Sequence, residues 1–169
     1  DQWEKHWDKD QYPLVLSTYK PILRSNYSGF FDHCNQVSPQ NFIYMNKNTA
    51  QQFGLKDKER VVLTSPDGVT AEGVLVCDDG VAVMRFCVPH AYGHWAGGVE
   101  VREVDGKSLP VARRRGGGTA INRLIPVDPT RPGAVKVLND YYAGAFCRSG
   151  IPVKVEQYRE MKPIGCPVM

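Results

Sequence analysis

Residues 60–76 have the sequence RVVLTSPDGVTAEGVLV. The two outer parts of this stretch, 60–64 and 69–76, are rich in valine and leucine, which favour extended backbone. The central Ser-Pro-Asp-Gly, at 65–68, has proline and glycine at positions that tight turns prefer. The stretch therefore predicts a β-hairpin.

The same pattern of short apolar segments and turn residues continues on both sides of this hairpin. A second hairpin is predicted across Asp105-Gly106, with residues 99–104 pairing with 109–112. The remaining predicted strands cover residues 14–18, 42–45, 81–87 and 151–156.

Helices are predicted to be few and short. Residues 46–54 predict one helix, which Asn46 or Asn48 can cap and Gly54 can end. A second short helix can form near residues 135–141. Because no long helical period occurs elsewhere, we predict a mainly β fold, a barrel or sandwich with mostly antiparallel strands and one or two short helices.

The composition is that of an ordinary globular protein. The chain has 169 residues, of which 42% are hydrophobic and 23% charged, so it can bury a core as one domain. Its net charge of +3 is too small to indicate a nucleic-acid-binding protein. No apolar run is long enough to span a bilayer, and the start does not resemble a signal peptide. We therefore expect no nucleic acid partner and no direct membrane insertion.

The cysteines and the first residues constrain the organisation of the chain further. The five cysteines are widely separated and form no Cys-x-x-Cys pair, so they predict small hydrophobic roles rather than a metal cage or iron–sulfur cluster. Residues 1–11 are charged and carry Trp3, His6 and Trp7 without a core period, which indicates a linker or docking arm. Because the chain starts at Asp1, we expect a processed product or a piece of a longer protein.

Residues 86–98, with the sequence FCVPHAYGHWAGG, combine imidazoles, aromatic rings and glycines in one loop. Pro89 ends the preceding strand because it has no backbone N–H to donate. The loop offers ring nitrogens and flat faces, and its glycines allow a ligand to approach the backbone. These groups come from His90, Tyr92, His94 and Trp95. They suit a flat heterocycle, and the alternative is an aromatic-rich turn that packs on its own barrel.

Two further segments carry groups that suit anions or heterocycle edges. Residues 19–29 form a long polar loop in which Lys20, Arg24 and several hydroxyls suit phosphate oxygens. Arginines 113–115 could meet a pyrophosphate, and Asn122 has an amide that donates and accepts in one plane. The alternatives are structural: a solvated loop, a solvated cationic run, and an asparagine that stabilises a turn.

Several of these motifs form an ordered set over about residues 12–158. In chain order they are YPL at 12–14, TYK at 18–20, AQQFGLKD at 50–57, SPDG at 65–68, PHAYGHW at 89–95, GTAINRL at 118–124 and VKV at 153–155. The set resembles the C-terminal cofactor-binding domain of the dimethyl sulfoxide reductase family of molybdenum and tungsten oxidoreductases. Residues 159–169 would follow this domain as a tail.

The resemblance implies a six-stranded double-psi β-barrel and a molybdopterin guanine dinucleotide cofactor with molybdenum or tungsten, bound within the full enzyme. In the family, the loop after the first strand, the His-containing loop and the Gly-x-x-x-Asn segment contact this cofactor. Carried over residue by residue, this nominates Thr18, Lys20, Arg24, Ser25, Asn26, His90, Tyr92, Trp95 and Asn122. Many members have Gly-Arg where this chain has Tyr19-Lys20, and lysine lacks the bidentate fork of arginine.

The resemblance also implies what this chain does not do alone. The family's cluster cysteines and metal-ligating residue lie in regions that these 169 residues do not include, so the chain alone should catalyse nothing. The implied partners are an iron–sulfur electron-transfer subunit and the remaining domains of the catalytic subunit. The Thr-aromatic-Lys version at residues 18–20 resembles the arsenate and tetrathionate reductase branch. In that branch the parent would reduce a sulfur or arsenic oxyanion in anaerobic respiration, outside the cytoplasmic membrane.

Three alternatives come from other classes of protein. The same barrel serves as a protein-interaction module in the amino-terminal domains of certain ATPases, and fold alone does not exclude that role. It also serves as a self-processing decarboxylase, which needs a Gly-Ser cleavage pair that this sequence lacks. A metal site on His90 and His94 would need a helix to use their spacing, and the neighbouring glycines disfavour one.

Overall fold

The computed structural model describes residues 7–25, 28, 31–93, 101–104, 106–110, 118–128, 130, 138 and 145–159. A short 3₁₀ helix, Ile121–Leu124, precedes the last strand. The other elements, in chain order, are β1 (Leu14–Tyr19), α1 (Asp32–Val37), β2 (Ile43–Met45), α2 (Lys47–Gln52), β3 (Arg60–Thr64), β4 (Thr70–Cys77), β5 (Arg85–Pro89), β6 (Val101–Val104), β7 (Lys107–Pro110) and β8 (Ile151–Gln157).

Six of these strands close into a barrel in the order β1-β5-β2-β4-β3-β8, and β8 returns to β1. Two neighbouring pairs are parallel, β1 with β5 and β2 with β4, and the other four are antiparallel. β6 and β7 form a separate two-stranded sheet. The predicted mainly β, mostly antiparallel fold with short helices is therefore confirmed, and of the barrel and the sandwich it is the barrel, with the six strands that the resemblance implies.

The barrel interior is filled mostly by aliphatic side chains. In β1, the fully buried Leu14 and Leu16 alternate with partly exposed residues, as expected for a strand with one face on a core. Phe86, also fully buried, is the largest side chain of this core. The other strands contribute Ile43, Met45, Val61, Leu63, Leu75, Val88, Ile151 and Val153. Closure of the sheet on itself pairs every barrel strand on both sides.

The predicted hairpin and helix are present with the expected local chemistry. Strands β3 and β4 pair from Arg60↔Val74 to Thr64↔Thr70. Between them, Gly68 has a φ of 76°, and its N–H donates to the Ser65 carbonyl at 2.9 Å. At the start of α2, the Asn46 side chain accepts from the N–H of Asn48 at 2.9 Å. Gly54, after the helix, has a φ of 67°.

The predicted strand over 81–87 begins later than expected, because β5 covers Arg85–Pro89. Residues 78–84 form turns instead, and Met84 has a φ of 58°, outside the range of regular strands. Side chains of the α2 region stabilise these turns. Asn46 Nδ2 donates to the Val81 carbonyl at 2.8 Å, and Thr49 Oγ1 accepts from the Met84 N–H at 3.0 Å. Tertiary hydrogen bonds thus outweigh the strand propensity of the valines.

The second hairpin is confirmed across the predicted turn, but β7 begins at Lys107, earlier than the predicted residue 109. Helix α1 was not predicted as a separate element. The helix predicted near 135–141 lies almost wholly outside the described residues. Cys34, Cys77 and Cys87 are free thiols and partly buried, and Cys147 is also partly buried. Among the helices that the structure describes, none has both the length and the apolar character needed to cross a membrane.

Candidate functional site at one rim of the barrel

The parallel pair β1 and β5 places two of the predicted loops side by side. The pairing ends at Tyr19↔Pro89, so the first loop (residues 20–25) and the histidine loop (residues 90–93) leave the barrel together. The N–H of His90 donates to the Tyr19 carbonyl at 3.1 Å. Lys20 is exposed at this rim, whereas His90 is partly buried.

Residues 145–150 reach the same rim and were not predicted from the sequence to do so. Ser149 Oγ accepts from the N–H of Thr18 at 3.1 Å, and the N–H of Gly150 donates to the Leu16 carbonyl at 2.9 Å. Arg148, next to these contacts, is close enough to His90 to affect its pKa. No local motif marks this arginine, because its position follows from the pairing of β8 with β1.

The surroundings of His90 favour the neutral form of its ring. Its burial, and then the charges of Arg148 and Lys20, lower the pKa of the imidazole from the ordinary 6.5, while a hydrogen bond with the Tyr19 backbone acts in the opposite direction. Its Nδ1 atom is buried and has no hydrogen-bond partner in the described part of the chain. A buried polar atom without a partner costs about 1–3 kcal/mol, so a bound molecule that pairs with Nδ1 would recover this free energy.

Arg24 lies in a clamp rather than on the surface. It is 3% exposed, and its Nε and Nη2 atoms donate to the Ser38 carbonyl at 3.1 and 2.7 Å. Its guanidinium lies 4.5 Å from the centre of the Tyr92 ring, and the Tyr92 and Ser38 hydroxyl oxygens are 2.6 Å apart. The clamp joins the first loop, the end of α1 and the histidine loop. The Arg24 Nη1 atom is buried without a hydrogen-bond partner among the described residues.

The asparagine segment (residues 118–124) contacts the histidine loop at this rim, both directly and through Asn41. Asn41, between α1 and β2, hydrogen-bonds to both Pro89 and Thr119. Gly93 has a φ of 72° and lies so close to Ala120 that a Cβ atom would collide with the Ala120 backbone. Asn122 is exposed within the 3₁₀ helix. The three loops that carry the nominated residues therefore meet.

Two clefts flank the asparagine segment where it crosses β4. One, of about 180 Å³, lies between the histidine loop and the segment and is lined by Thr70, Ala71, Glu72, Gly93, Gly118, Ala120 and Arg123. The other, of about 240 Å³, is lined by Gln40, Asn41, Arg60, Glu72, Gly73, Val74 and Gly118. Gly73, Gly93 and Gly118 line these clefts, and a Cβ atom at each would collide with a neighbouring residue. The glycines therefore let the asparagine segment pack closely on its neighbours.

Of the remaining nominated residues, the structure describes some, and others lie outside the described part of the chain. The N–H of Ser25 donates to Ser28 Oγ at 2.7 Å, which closes the first loop on itself. Asn26 and Trp95 lie outside the described residues, as do His94 and arginines 113–115. Within the described residues, no group of three or more His, Cys, Asp or Glu side chains could hold a metal ion. The contact of each nominated residue with a ligand stays a prediction.

The charged and polar groups at the rim suit a large polar ligand. Lys20 and Arg148 supply positive charge for an anion, and neutral His90 offers a ring nitrogen. The amide of Asn122 can donate to and accept from a heterocycle edge. This set suits a ligand with both phosphate groups and a flat heterocycle.

Known families and proteins show similarity over most of the chain. Residues 15–137 match the family model described as Molydopterin dinucleotide binding domain. A tetrathionate reductase subunit of Salmonella typhimurium is 28% identical over 147 residues, which are 87% of this chain and 14% of that protein. The corresponding tetrathionate reductase subunit of Archaeoglobus fulgidus is 28% identical over 91 residues, 53% of this chain and 8% of that protein.

A solved structure has the same fold. Acetylene hydratase from Pelobacter acetylenicus aligns with a TM-score of 0.61 and 15% identity, over 89% of this chain and 19% of that chain. At this identity the likeness concerns the fold alone. The chain spans 14% or less of the length of the two tetrathionate reductase subunits it matches.

Proposed function

Because the chain belongs to the molybdopterin dinucleotide-binding domain family, we propose that it holds a molybdopterin guanine dinucleotide at the rim where β1 and β5 end. The observation that carries this proposal is the meeting of three separate loops at that rim, through the β1–β5 pairing and Asn41. The bound cofactor, with molybdenum or tungsten, supplies the redox chemistry. The residues of this chain bind it, orient it and exclude water.

The side chains at the rim fit such a cofactor. Lys20 and Arg148 would face the pyrophosphate, whose charge they complement. The unpaired Nδ1 atom of His90 and the amide of Asn122 would pair with edges of the pterin or guanine. Gly93 lets the histidine loop pack directly against the Ala120 backbone, which holds the two loops with these groups side by side.

The similarity to two tetrathionate reductase subunits supports a proposal for the parent enzyme. The parent would reduce a sulfur or arsenic oxyanion in anaerobic respiration, outside the cytoplasmic membrane. The remaining domains of the catalytic subunit would provide the metal ligand, since the matched relatives are much longer than this chain. An iron–sulfur subunit would deliver the electrons.

The cofactor content of the full-length protein tests the proposal directly. Denaturation in air should release a fluorescent oxidised pterin, together with a guanine nucleotide and molybdenum or tungsten. Folded full-length protein that releases no pterin would contradict the proposal and favour the protein-interaction module.

Replacement of Asn122 tests the placement of the cofactor. In Asn122→Asp a carboxylate replaces the amide, and the N–H donor of the amide is lost. We therefore expect several-fold lower pterin and metal content in the purified full-length protein. Asn48→Asp is the matched control, because Asn48 is exposed in α2, near the turns that precede β5 rather than at the rim that follows it. Unchanged pterin and metal content in Asn122→Asp would count against the assignment.

A further inference from the structure

We propose that Asn41 is a positioning residue for the cofactor, which sets the distance between the histidine loop and the asparagine segment. The inference rests on the proposed function, because both concern the same rim. Asn41 was not nominated from the sequence, and it need not touch the cofactor to have this effect.

Both the nitrogen and the oxygen of the Asn41 carboxamide are hydrogen-bonded. The residue is 4% exposed, and its Nδ2 atom donates to the carbonyls of Pro89 at 2.7 Å and Thr119 at 3.1 Å. Its Oδ1 atom accepts from the N–H of Thr119 at 2.6 Å. Pro89 immediately precedes His90, and Thr119 lies one turn before Asn122. One planar side chain therefore joins the two loops that carry nominated residues.

The asparagine segment approaches Asn41 closely, and the carboxamide of Asn41 suits the groups that it meets there. Gly118 has a φ of 90°, and a Cβ atom there would collide with the Asn41 side chain, so the segment approaches because residue 118 has no side chain. Thr119 Oγ1 donates to the Glu72 carbonyl at 2.8 Å, which fixes the segment on β4. Asn41 then connects this fixed point to the histidine loop by hydrogen bonds, beside the contact between Gly93 and Ala120. An aspartate would place negative charge opposite two carbonyl oxygens.

A purely structural role for Asn41 is the alternative, and Asn46 offers a matched control. Asn46 is also buried, at 8% exposure, and it also joins two segments. Its Nδ2 atom donates to the Val81 carbonyl at 2.8 Å, and its Oδ1 atom accepts from the Asn48 N–H at 2.9 Å. These contacts lie around the turns that precede β5, at the end of the strand opposite Pro89.

The test compares Asn41→Asp with Asn46→Asp in the full-length protein, with thermal stability and the rate of pterin release measured for each. We expect Asn41→Asp to release the cofactor about tenfold faster than wild type or more. Asn46→Asp should release it at the wild-type rate even where its thermal stability is lower. Equal release rates in the two variants at matched stability would overturn the proposal. Should Asn41→Asp fail to fold, Asn41→Ser and Asn46→Ser make the same comparison.

Two further readouts separate this proposal from the one it rests on. Wild-type protein without pterin would refute the proposed function, whereas pterin that Asn41→Asp retains as firmly as wild type would refute only the positioning role. Hydrogen exchange in peptides that cover residues 118–124 should be faster in Asn41→Asp and unchanged in Asn46→Asp. Unchanged exchange in both variants would overturn the positioning role.

Discussion

At the scale of single residues, His90 illustrates how the barrel prepares a polar group for a ligand. Its backbone N–H donates to the Tyr19 carbonyl, and the charges of Arg148 and Lys20 act on its ring, yet Nδ1 has no partner among the described residues. A protonated ring would be repelled by Lys20 and Arg148. The lowered pKa of His90 therefore favours a neutral ring that can hydrogen-bond to a ligand.

The lowered pKa of His90 predicts a local loss of stability in acid. Below pH 6.5 the opened state binds a proton that the folded rim resists, so stability falls as the pH drops through 6.5 and becomes constant below the folded pKa. Native-state hydrogen exchange of peptides covering residues 86–92, corrected for intrinsic rates, measures this in the full-length protein. His90→Gln should remove this pH dependence of stability. A pH profile in the variant that is identical to that of wild type would contradict the prediction.

The sequence predicted part of the site, and the residues that it missed share one property. His90 and Asn122 stand in recognisable motifs, and the structure brings their loops together. Asn41 and Arg148 stand in no motif, because their roles depend on partners distant in the chain. Arg24 was nominated as a phosphate ligand, but its burial against Tyr92 could not be read from a polar loop.

At the scale of elements, local sequence signals predicted the structure correctly where residues adjacent in the chain set the conformation. The turn at 65–68 and the helix cap at Asn46 follow from the residue types, and both are present. The start of β5 does not follow from residue types, because Asn46 and Thr49 hold residues 81–84 in turns through hydrogen bonds that cross the fold. Strand propensity in those valines is the weaker effect.

Gly73 in β4 provides a prediction at this scale. A Cβ atom there would collide with Thr119 and with the fully buried Ile43, so Gly73→Ala should destabilise β4 by about 1–3 kcal/mol and loosen the asparagine segment. Gly80→Ala is the control, since its Cβ atom would meet only the side chain of Asp78; its effect should stay within about 0.5 kcal/mol. Native-state hydrogen exchange of β4 in the full-length protein measures the destabilisation in each variant. Equal destabilisation in Gly73→Ala and Gly80→Ala would contradict the prediction.

At the scale of the whole molecule, the barrel joins distant parts of the chain into one closed sheet. β8 pairs with both β1 and β3, and β5 lies between β1 and β2. The fold class was predictable because many short strands with turns leave few architectures. The two parallel pairs were not predictable from local patterns, because they depend on how distant strands cross.

The packing of the core predicts how the barrel unfolds. Phe86 is fully buried, so Phe86→Ala should destabilise the barrel by about 3–5 kcal/mol. Val83→Ala, at a residue that is 57% exposed, is the control and should cost no more than about 0.5 kcal/mol. Hydrogen exchange in the full-length protein should accelerate in all six barrel strands of Phe86→Ala. Acceleration confined to β5 would show that the strands do not unfold together.

The place of β8 in the barrel has a consequence for biosynthesis. Residues 151–157 supply the strand that closes the sheet between β1 and β3, and residues 148–150 complete the rim beside β1. A nascent chain still lacking these residues has an open sheet and an incomplete rim. We therefore expect cofactor loading to wait until translation has passed this point, so ribosome-bound chains truncated before residue 148 should capture no pterin.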